Sequence, residues 1–248
     1  MANSMTFNAI DFADYGLVVT SCDANEVRKQ SSFIRIKDFS VTGTPTREPK
    51  MIWSKITVKG TSRTVLDGYL DNIKMALDSS INREVSFDCI SGRYWNAKLE
   101  RFDGKYISPY VFVGDVQLLC SDPLAYSSTL TSSDHVIDAD PKEVNEVTTG
   151  SAFVRPVFTF TATAAIGATT FKLENTNTSE ELVWTDTIAN TEELIINSEN
   201  WLVTLEAGAS MTNVSGQFPT LLPGQTNTIK VTGGNSGTLN IKYRMRYV

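Results

Sequence analysis

The sequence predicts a mainly β protein of two domains: an N-terminal α+β domain of antiparallel strands and one helix, and a C-terminal β-sandwich. A chain of 248 residues favours two domains, since one domain usually takes about 100–200 residues. Residues 1–148 contain 16 Lys and Arg and 20 Asp and Glu, whereas residues 149–248 contain 6 and 8 but carry 18 Thr and 9 Asn, which are typical of strands and turns. We therefore expect domains at 1–148 and 149–248, joined by a polar connector over about 127–148.

The first half contains one predicted helix, Thr64–Leu77, because its apolar residues recur at spacings of three and four. Thr64 and Asp67 are expected to cap its start, and Ser79, Ser80 and Asn82 to end it. The residues of its apolar stripe are Leu66, Tyr69, Leu70, Ile73 and Leu77. We expect the stripe to cover one face of a sheet.

Alternation of apolar and polar residues predicts the strands around this helix. They are Ser31–Lys37, Met51–Val58, Glu84–Ile90, Tyr94–Glu100 and Tyr110–Cys120. Ser91 and Gly92 predict a tight turn, and Gly114 a β-bulge. Antiparallel strands with a single helix define an α+β domain.

The second half shows only strand patterns. Short candidates are Val157–Thr163, Thr169–Leu173, Glu181–Trp184, Glu193–Ile196 and Trp201–Leu205. The clearest is Thr238–Val248, where apolar residues alternate with Asn, Lys and Arg, as on a strand with one buried face. Many short strands separated by Gly- and Pro-containing turns predict a β-sandwich or jelly roll.

Composition excludes several classes of function. The formal net charge of −6 argues against non-specific nucleic-acid binding. No apolar run reaches the roughly 18 residues that a membrane span needs, so we expect no membrane insertion. The N-terminal residues lack the basic and apolar regions of a signal peptide. Three widely spaced cysteines, Cys22, Cys89 and Cys120, suit a reducing compartment.

A search for catalytic and metal-binding patterns finds none that predicts an enzyme. A catalytic role for the single histidine, His135, would need a nucleophile elbow such as GxSxG, and the sequence contains none. We expect His135 to be exposed in the connector. Cys89 and Cys120 occupy apolar strand positions and are expected to be buried thiols. Adjacent acids at Glu180–Glu181 and Glu192–Glu193 point to opposite strand faces, so they do not form a glycosidase pair. We predict no catalytic residue, no metal site and no cofactor.

Four segments of the first half follow one another in a recognisable order. Arg63-Thr-Val-Leu66 leads into the helix, Arg83–Phe87 and Arg93–Leu99 follow, and the last strand runs through Cys120 into Asp122-Pro123 and Tyr126. In the second half, the run Gly216–Ile229, with Phe218, Pro219, Pro223 and Gly224, precedes the final strand. This order resembles the distal tail protein (Dit) family of long, non-contractile-tailed bacteriophages, over about residues 11 to 248.

The resemblance implies a structural protein of the virion tail tip, made in the cytoplasm of the host bacterium. Members of this family form a homo-hexameric ring in which the first domain builds the ring and the second, a galectin-like β-sandwich, projects outward. The ring joins the major tail protein of the tail tube to a tail-associated fibre or hub protein, and in some phages receptor-binding proteins dock on the outer domain. The family-motif positions here are Cys120, Asp122, Pro123, Phe218, Pro219, Pro223 and Gly224.

Two other functions stay open. The second domain is a candidate carbohydrate-binding module for host cell-wall glycan; buried Trp184 and Trp201 would argue against it, and we expect both to be core residues. A tail-tip cell-wall hydrolase is the third candidate, disfavoured by the lack of a nucleophile motif.

A ring through which DNA passes would also gain from an acidic bore that repels phosphates. The acids expected there from charge density are Asp67, Asp71, Asp78, Glu84, Asp88, Glu100 and Asp103.

Overall fold

The computed structural model describes two compact units. The described residues are 3–23, 49–167, 171–206, 208–209, 211–234 and 236–248, with the backbone of 29–30, 33–36, 39–42 and 46–47. The units comprise Met1–Ser128 and Thr129–Tyr247. We call them unit 1 and unit 2.

Unit 1 contains one α-helix among antiparallel strands. Its elements are β1 Met5–Phe7, β2 Ile10–Asp11, a 3₁₀ turn Phe12–Tyr15, β3 Leu17–Asp23, β4 Lys29–Gln30, β5 Phe33–Ile36, β6 Phe39–Thr42, β7 Thr46–Arg47, β8 Lys50–Lys59, α1 Arg63–Leu77, β9 Arg83–Phe87, β10 Arg93–Ser108 and β11 Val111–Cys120. The long strands form a sheet in the order β10-β11-β8-β3, while the first residues of β10 pair with β9, which also pairs with β1.

The predicted helix is confirmed, and its apolar stripe is buried as Leu66, Leu70, Ile73 and Leu77. Its start differs from the prediction. Ser62 is the N-cap, and its side chain accepts from the backbone N–H of Val65. Thr64 and Asp67 do not cap the helix, because the chain enters the helical conformation one residue earlier than the apolar pattern indicates.

Helix α1 packs against β8 and β10 and so covers one face of the sheet. On β8 the residues that face it, including Ile52 and Ile56, are fully buried, and the alternate residues Trp53 and Lys55 are exposed. The predicted bulge at Gly114 is absent. The register shifts lie in β10, between Leu99 and Arg101 and between Tyr106 and Ser108.

The predicted strands of unit 1 are present with shifted ends. Ser31–Lys37 corresponds to β5, and its residues 31, 32 and 37 lie outside the described residues. The strand predicted to end at Ile90 stops at Phe87, so Cys89 lies in a turn and is exposed, contrary to the prediction of a buried thiol.

Unit 2 is built from strands. They are β13 Lys142–Val147, β14 Val157–Ala162, β15 Phe171–Asn175, β16 Glu180–Trp184, β17 Glu193–Asn197, β18 Leu202–Leu205, β19 Gly208–Ala209, β20 Val214–Gly216, β21 Thr226–Thr232 and β22 Gly237–Tyr247. Strand β12, Ala125–Ile137, begins in unit 1 and ends in unit 2.

Two sheets of unit 2 enclose one core, so the predicted β-sandwich is confirmed. One has the order β19-β18-β17-β14-β22 and the other β13-β21-β15-β16-β20. Alternate residues of both sheets enter the core, among them Phe158 and Ile241 from the first and Phe171, Trp184 and Ile229 from the second. Burial of large apolar side chains from two facing sheets stabilises such a fold without a covering helix.

The segment 127–148 is not a polar connector. It contains most of β12 and all of β13, and β13 pairs with β21 along its whole length, from Lys142–Val231 to Val147–Thr226. Along the chain, unit 1 ends at Ser128 and unit 2 begins at Thr129, before the predicted boundary at 148. The segment is Ser- and Asp-rich because one face of each strand is exposed, and this composition resembles that of a linker.

Candidate functional surfaces

The described residues contain no group of three or more His, Cys, Asp or Glu side chains placed to hold a metal ion. In the same part of the chain no helix is long and apolar enough to span a membrane. A shallow cleft of about 280 Å³ lies by the β9–β10 turn and is lined by Asp88, Arg93 and Ser128 among others. The Asp88 carboxylate already makes a hydrogen bond there, because its Oδ2 accepts from the backbone N–H of Ser4 at 2.8 Å.

One exposed feature of unit 1 is the face of the β10-β11-β8-β3 sheet that α1 does not cover, which we call the open sheet face. Trp53, 52% exposed, lies on it beside Gln117 and Arg101 in register. Its described charged side chains are Lys55, Lys59, Lys98, Arg101, Lys105, Asp103 and Asp115. This face is therefore mixed in charge, with cations in excess.

The β10–β11 hairpin is fixed to the helix by a cluster on its other face. The hydroxyl of Tyr106 donates to Asp67 Oδ1 at 2.6 Å, and the Arg63 guanidinium lies 3.5 Å from the Tyr106 ring centroid and donates to Asp67 at 3.0 Å. The hydrogen bonds from Tyr106 and Arg63 lower the pKa of Asp67, and the bond to Asp67 raises the pKa of Tyr106. The cluster holds the hairpin base while the tip stays exposed.

The hairpin tip exposes large apolar side chains. Ile107 is 60% exposed and Tyr110 53% exposed. At the base of the tip, Phe112 stacks with Phe102 at 5.9 Å and meets Tyr106 edge-on at 5.5 Å. An aromatic ladder under an exposed apolar tip is a rigid arm suited to contact with another protein surface.

The seven acids predicted for a bore do not share one surface. Asp67 and Asp71 lie on α1 and Asp78 is its C-cap, and α1 covers the opposite side of the sheet from Asp103. The others have separate positions: Asp103 pairs with Arg101 on the open sheet face, Asp88 binds the Ser4 backbone, and Glu84 and Glu100 are exposed on β9 and β10. Charge density along the chain does not reveal these positions, because the seven acids are divided among several elements and faces.

The motif residues at the end of β11 have structural roles. Cys120 is fully buried, and desolvation raises the pKa of its thiol to about 12. Asp122 accepts from the backbone N–H of Leu124 at 3.1 Å and from the Tyr126 hydroxyl at 2.5 Å. Tyr126 stacks on Tyr94 at 5.6 Å. The Asp122-Pro123 turn therefore fixes the direction in which the chain leaves the sheet.

The motif residues of unit 2 belong to a loop held by a buried amide. Asn227, fully buried, accepts from the Leu222 N–H at 2.7 Å and donates to the Leu222 carbonyl at 3.1 Å. The turn that contains Pro223 and Gly224 is closed by these bonds, and Gly224 has a φ of +67°, which favours glycine. Phe218 is 8% exposed, and the Pro219 carbonyl accepts from Ser198 Oγ at 2.8 Å.

Sequence reasoning missed a buried polar cluster in unit 2. His135 was expected to be exposed, but its Nε2 lies 2.6 Å from Glu146 Oε1, and its side chain is 21% exposed. The Tyr243 hydroxyl donates to Glu146 Oε2 at 3.0 Å, and burial raises the Tyr243 pKa. The signal lay in β13, where the period of two places Glu146 on the same buried face as Val144.

The prediction that both tryptophans of unit 2 are core residues is correct for one of them and wrong for the other. Trp184 is fully buried, as predicted, but Trp201 is 53% exposed at the turn between β17 and β18. Its ring meets Phe218 edge-on at 5.5 Å, and the Arg155 guanidinium lies 5.3 Å from its centroid. The apolar run Trp201-Leu202-Val203 suggested burial, but the strand begins one residue later.

Comparison with known proteins identifies the class. Residues 149–247 match the family model of the siphovirus-type tail component, C-terminal domain (SPP1 Dit). The crystal structure of the Dit protein of phage SPP1, described as a paradigm of the hub adsorption apparatus in phages that infect Gram-positive bacteria, matches with a TM-score of 0.79 at 15% identity over 100% of both chains. Baseplate structures of phage p2 in its activated conformation, with Sr and with Ca, match with TM-scores of 0.48 at 10% identity over 97% and 98% of each chain. No curated protein matches.

Residues 149–247 are therefore similar to the C-terminal domain of a siphovirus-type tail component. The fold of the whole chain is similar to that of the SPP1 Dit protein. The resemblance to the distal tail protein family is thereby confirmed.

Proposed function

We propose that this protein forms a homo-hexameric ring at the tail tip, which joins the tail tube to the host-adsorption apparatus and lets DNA pass. The family match of residues 149–247, together with the fold shared by the whole chain, carries the proposal. The partners are the major tail protein on one side and a fibre or hub protein on the other. The role is structural and non-enzymatic, and synthesis takes place in the host cytoplasm.

The strand edges of unit 1 support a ring. Among the described residues, Lys98–Ser108 of β10 pair on one side only, with β11. Edge strands present backbone groups that another chain can pair with. An edge of this kind suits a contact with a neighbouring copy of the chain, and head-to-tail contacts form a ring where their rotation closes.

The ring is tested by the mass of the full chain and by its symmetry. Mass photometry and negative-stain electron microscopy are expected to show six protomers of 27.3 kDa in a six-fold ring, with the major tail protein added if the protein alone does not close. Ile107→Asp with Tyr110→Asp at the hairpin tip should reduce assembly. Val136→Asp, at an exposed β12 residue of unit 2, is the matched control. A monomer both alone and with the tail protein would contradict the proposal.

The charge of the bore depends on which face of unit 1 points inward. A bore lined by the face that carries Asp71 and Asp78 agrees with the proposed acidic lining, and a bore lined by the cation-rich open sheet face contradicts it. Single cysteines at Asp71 and at Lys55, placed in a background with Cys22→Ser and Cys89→Ser, distinguish the two. A maleimide attached to a polymer too large to enter the bore should label the outward cysteine of the assembled ring and leave the inward cysteine unlabelled.

The carbohydrate-binding alternative is favoured by one observation, the exposure of Trp201, and disfavoured by the full burial of Trp184. The hydrolase alternative is disfavoured because Asp88, the acid that lines the cleft by the β9–β10 turn, accepts a hydrogen bond from the Ser4 backbone N–H. We therefore keep the structural role as the proposed function and treat Trp201 separately.

A further inference from the structure

Trp201 has an unusual combination of exposure and backbone conformation. It is 53% exposed, and its φ of +56° lies in the left-handed region that favours glycine. A bulky residue persists in this conformation only where its surroundings determine it, and such residues concentrate at ligand sites.

The turn that carries Trp201 is held by four hydrogen bonds. Asn197 Oδ1 accepts from the backbone N–H groups of Glu199 and Asn200, both at 3.0 Å. Ser198, 1% exposed, donates its N–H to the Pro156 carbonyl at 3.0 Å and its hydroxyl to the Pro219 carbonyl at 2.8 Å. The indole ring is thus presented to solvent from a fixed backbone, which lowers the entropy lost when a ligand binds.

Two more side chains extend the surface. Arg155 lies over the indole at 5.3 Å, and Phe153, 52% exposed, precedes it by two residues on a segment whose alternate residues, Ala152 and Val154, are buried. Phe153 and Arg155 therefore lie on the same side of that segment. We call Phe153, Arg155 and Trp201 the Trp201 platform.

The size and chemistry of the platform select its ligand. An aromatic side chain carries about 150–250 Å², so two half-exposed rings offer roughly 200 Å². A stable protein interface needs about 800 Å² on each partner, several times more. The Arg155 guanidinium lies over part of the indole. The part of the ring that stays exposed, next to several N–H donors, instead matches one sugar ring, which has an apolar C–H face and hydroxyl acceptors at its edge.

We propose that the Trp201 platform binds a pyranose ring of a glycan, with the indole under the C–H face of the sugar and the Arg155 guanidinium donating to its hydroxyls. Phe153 contacts an adjoining sugar of the same chain. The site lies wholly within unit 2, so it does not depend on the proposed hexamer.

The test is saturation-transfer difference NMR on the full chain with chitotriose, cellotriose, maltotriose and galactobiose, each at 10 mM. At least one sugar should receive magnetisation, with the strongest signals from the C–H protons of one ring. Trp201→Gly, which suits the positive φ and so preserves the turn, should weaken binding at least tenfold, and Trp201→Phe should restore part of it. Trp53→Ala, which removes a tryptophan of equal exposure from unit 1, is the matched control.

Three outcomes overturn the proposal. One is no transfer to any of the four sugars, and another is transfer that Trp201→Gly leaves unchanged. The third is a change in oligomeric mass with Trp201→Gly, which would make the platform a protein contact. Because ring closure is measured separately by mass, failure of sugar binding leaves the proposed tail-tip role intact, and the reverse also holds.

Discussion

The two units bury the faces of their sheets in different ways. Unit 2 encloses its core between two sheets, and Phe158, Phe171 and Trp184 from both sheets meet in it. Unit 1 covers one face of its long sheet with a single helix and leaves Trp53 and a row of charged residues exposed on the other. The sandwich buries its apolar side chains within the unit, whereas the sheet of unit 1 keeps an exposed face that a neighbouring chain could cover. We therefore propose that unit 1 makes the assembly contacts.

A substitution at Trp184 is the strongest test of a self-contained core in unit 2. Trp184→Ala removes a fully buried indole, and we expect the free energy of unfolding to fall by about 3–5 kcal/mol. Urea unfolding followed by circular dichroism measures it. Trp201→Ala serves as a control of the same residue type, with a change below about 1 kcal/mol. Equal losses at both positions would show that Trp201 is part of the core.

Asn227 should give the next largest effect, because it joins the Pro223-Gly224 turn to the sandwich. Asn227→Ala leaves the half-buried Leu222 N–H without its acceptor and the buried Asn175 Nδ2 without one of its two acceptors, and we expect a loss of about 2–3 kcal/mol in the free energy of unfolding. The exposed Asn200→Ala is the control, with a change within about 0.5 kcal/mol. A loss in the free energy of unfolding as small as that of Asn200→Ala would show that water replaces the hydrogen bonds of the Asn227 amide.

Periodicity predicted the fold well where one face of an element is buried and the other is not. The stripe of α1 and the alternation of β22 were both read correctly, since each residue's environment follows from its spacing. Prediction failed where a single residue at an element's end decides the outcome. Cys89 and Trp201 were assigned to strands, and each lies just outside one, so its environment reverses.

Contacts distant in sequence were the second source of failure. Glu146 binds His135 on β12 and Tyr243 on β22, and no spacing along the chain reveals that these strands place their side chains together. The acids proposed for a bore stay a prediction, because charge density is a property of the chain and a bore is a property of an assembled surface. The unpaired side of Lys98–Ser108, among the described residues, also follows only from the pairing of distant strands.

Cys120 should make the stability of unit 1 depend on pH. Burial raises its pKa from the ordinary 9.0 to about 12, so the unfolded state loses the thiol proton before the folded state does. The contribution is complete below pH 9 and is lost as pH rises from 9 towards 12, with a decrease of about 1 kcal/mol by pH 10. Urea unfolding at pH 8 and pH 10 measures it. Cys120→Ala should remove this part of the pH dependence, and an unchanged dependence would contradict the assignment.

Trp201→Gly should have the smallest effect on stability, and its sign is informative. Glycine adopts the φ of +56° without the Cβ contact that disfavours tryptophan, a gain of about 1 kcal/mol. Loss of the contacts with Phe218 and Arg155 opposes it by a similar amount. We therefore expect a change within about 1 kcal/mol in urea unfolding, comparable to Trp53→Ala in unit 1. A loss above about 2 kcal/mol would mean that the indole stabilises the fold, and the strained conformation would then need no ligand to account for it.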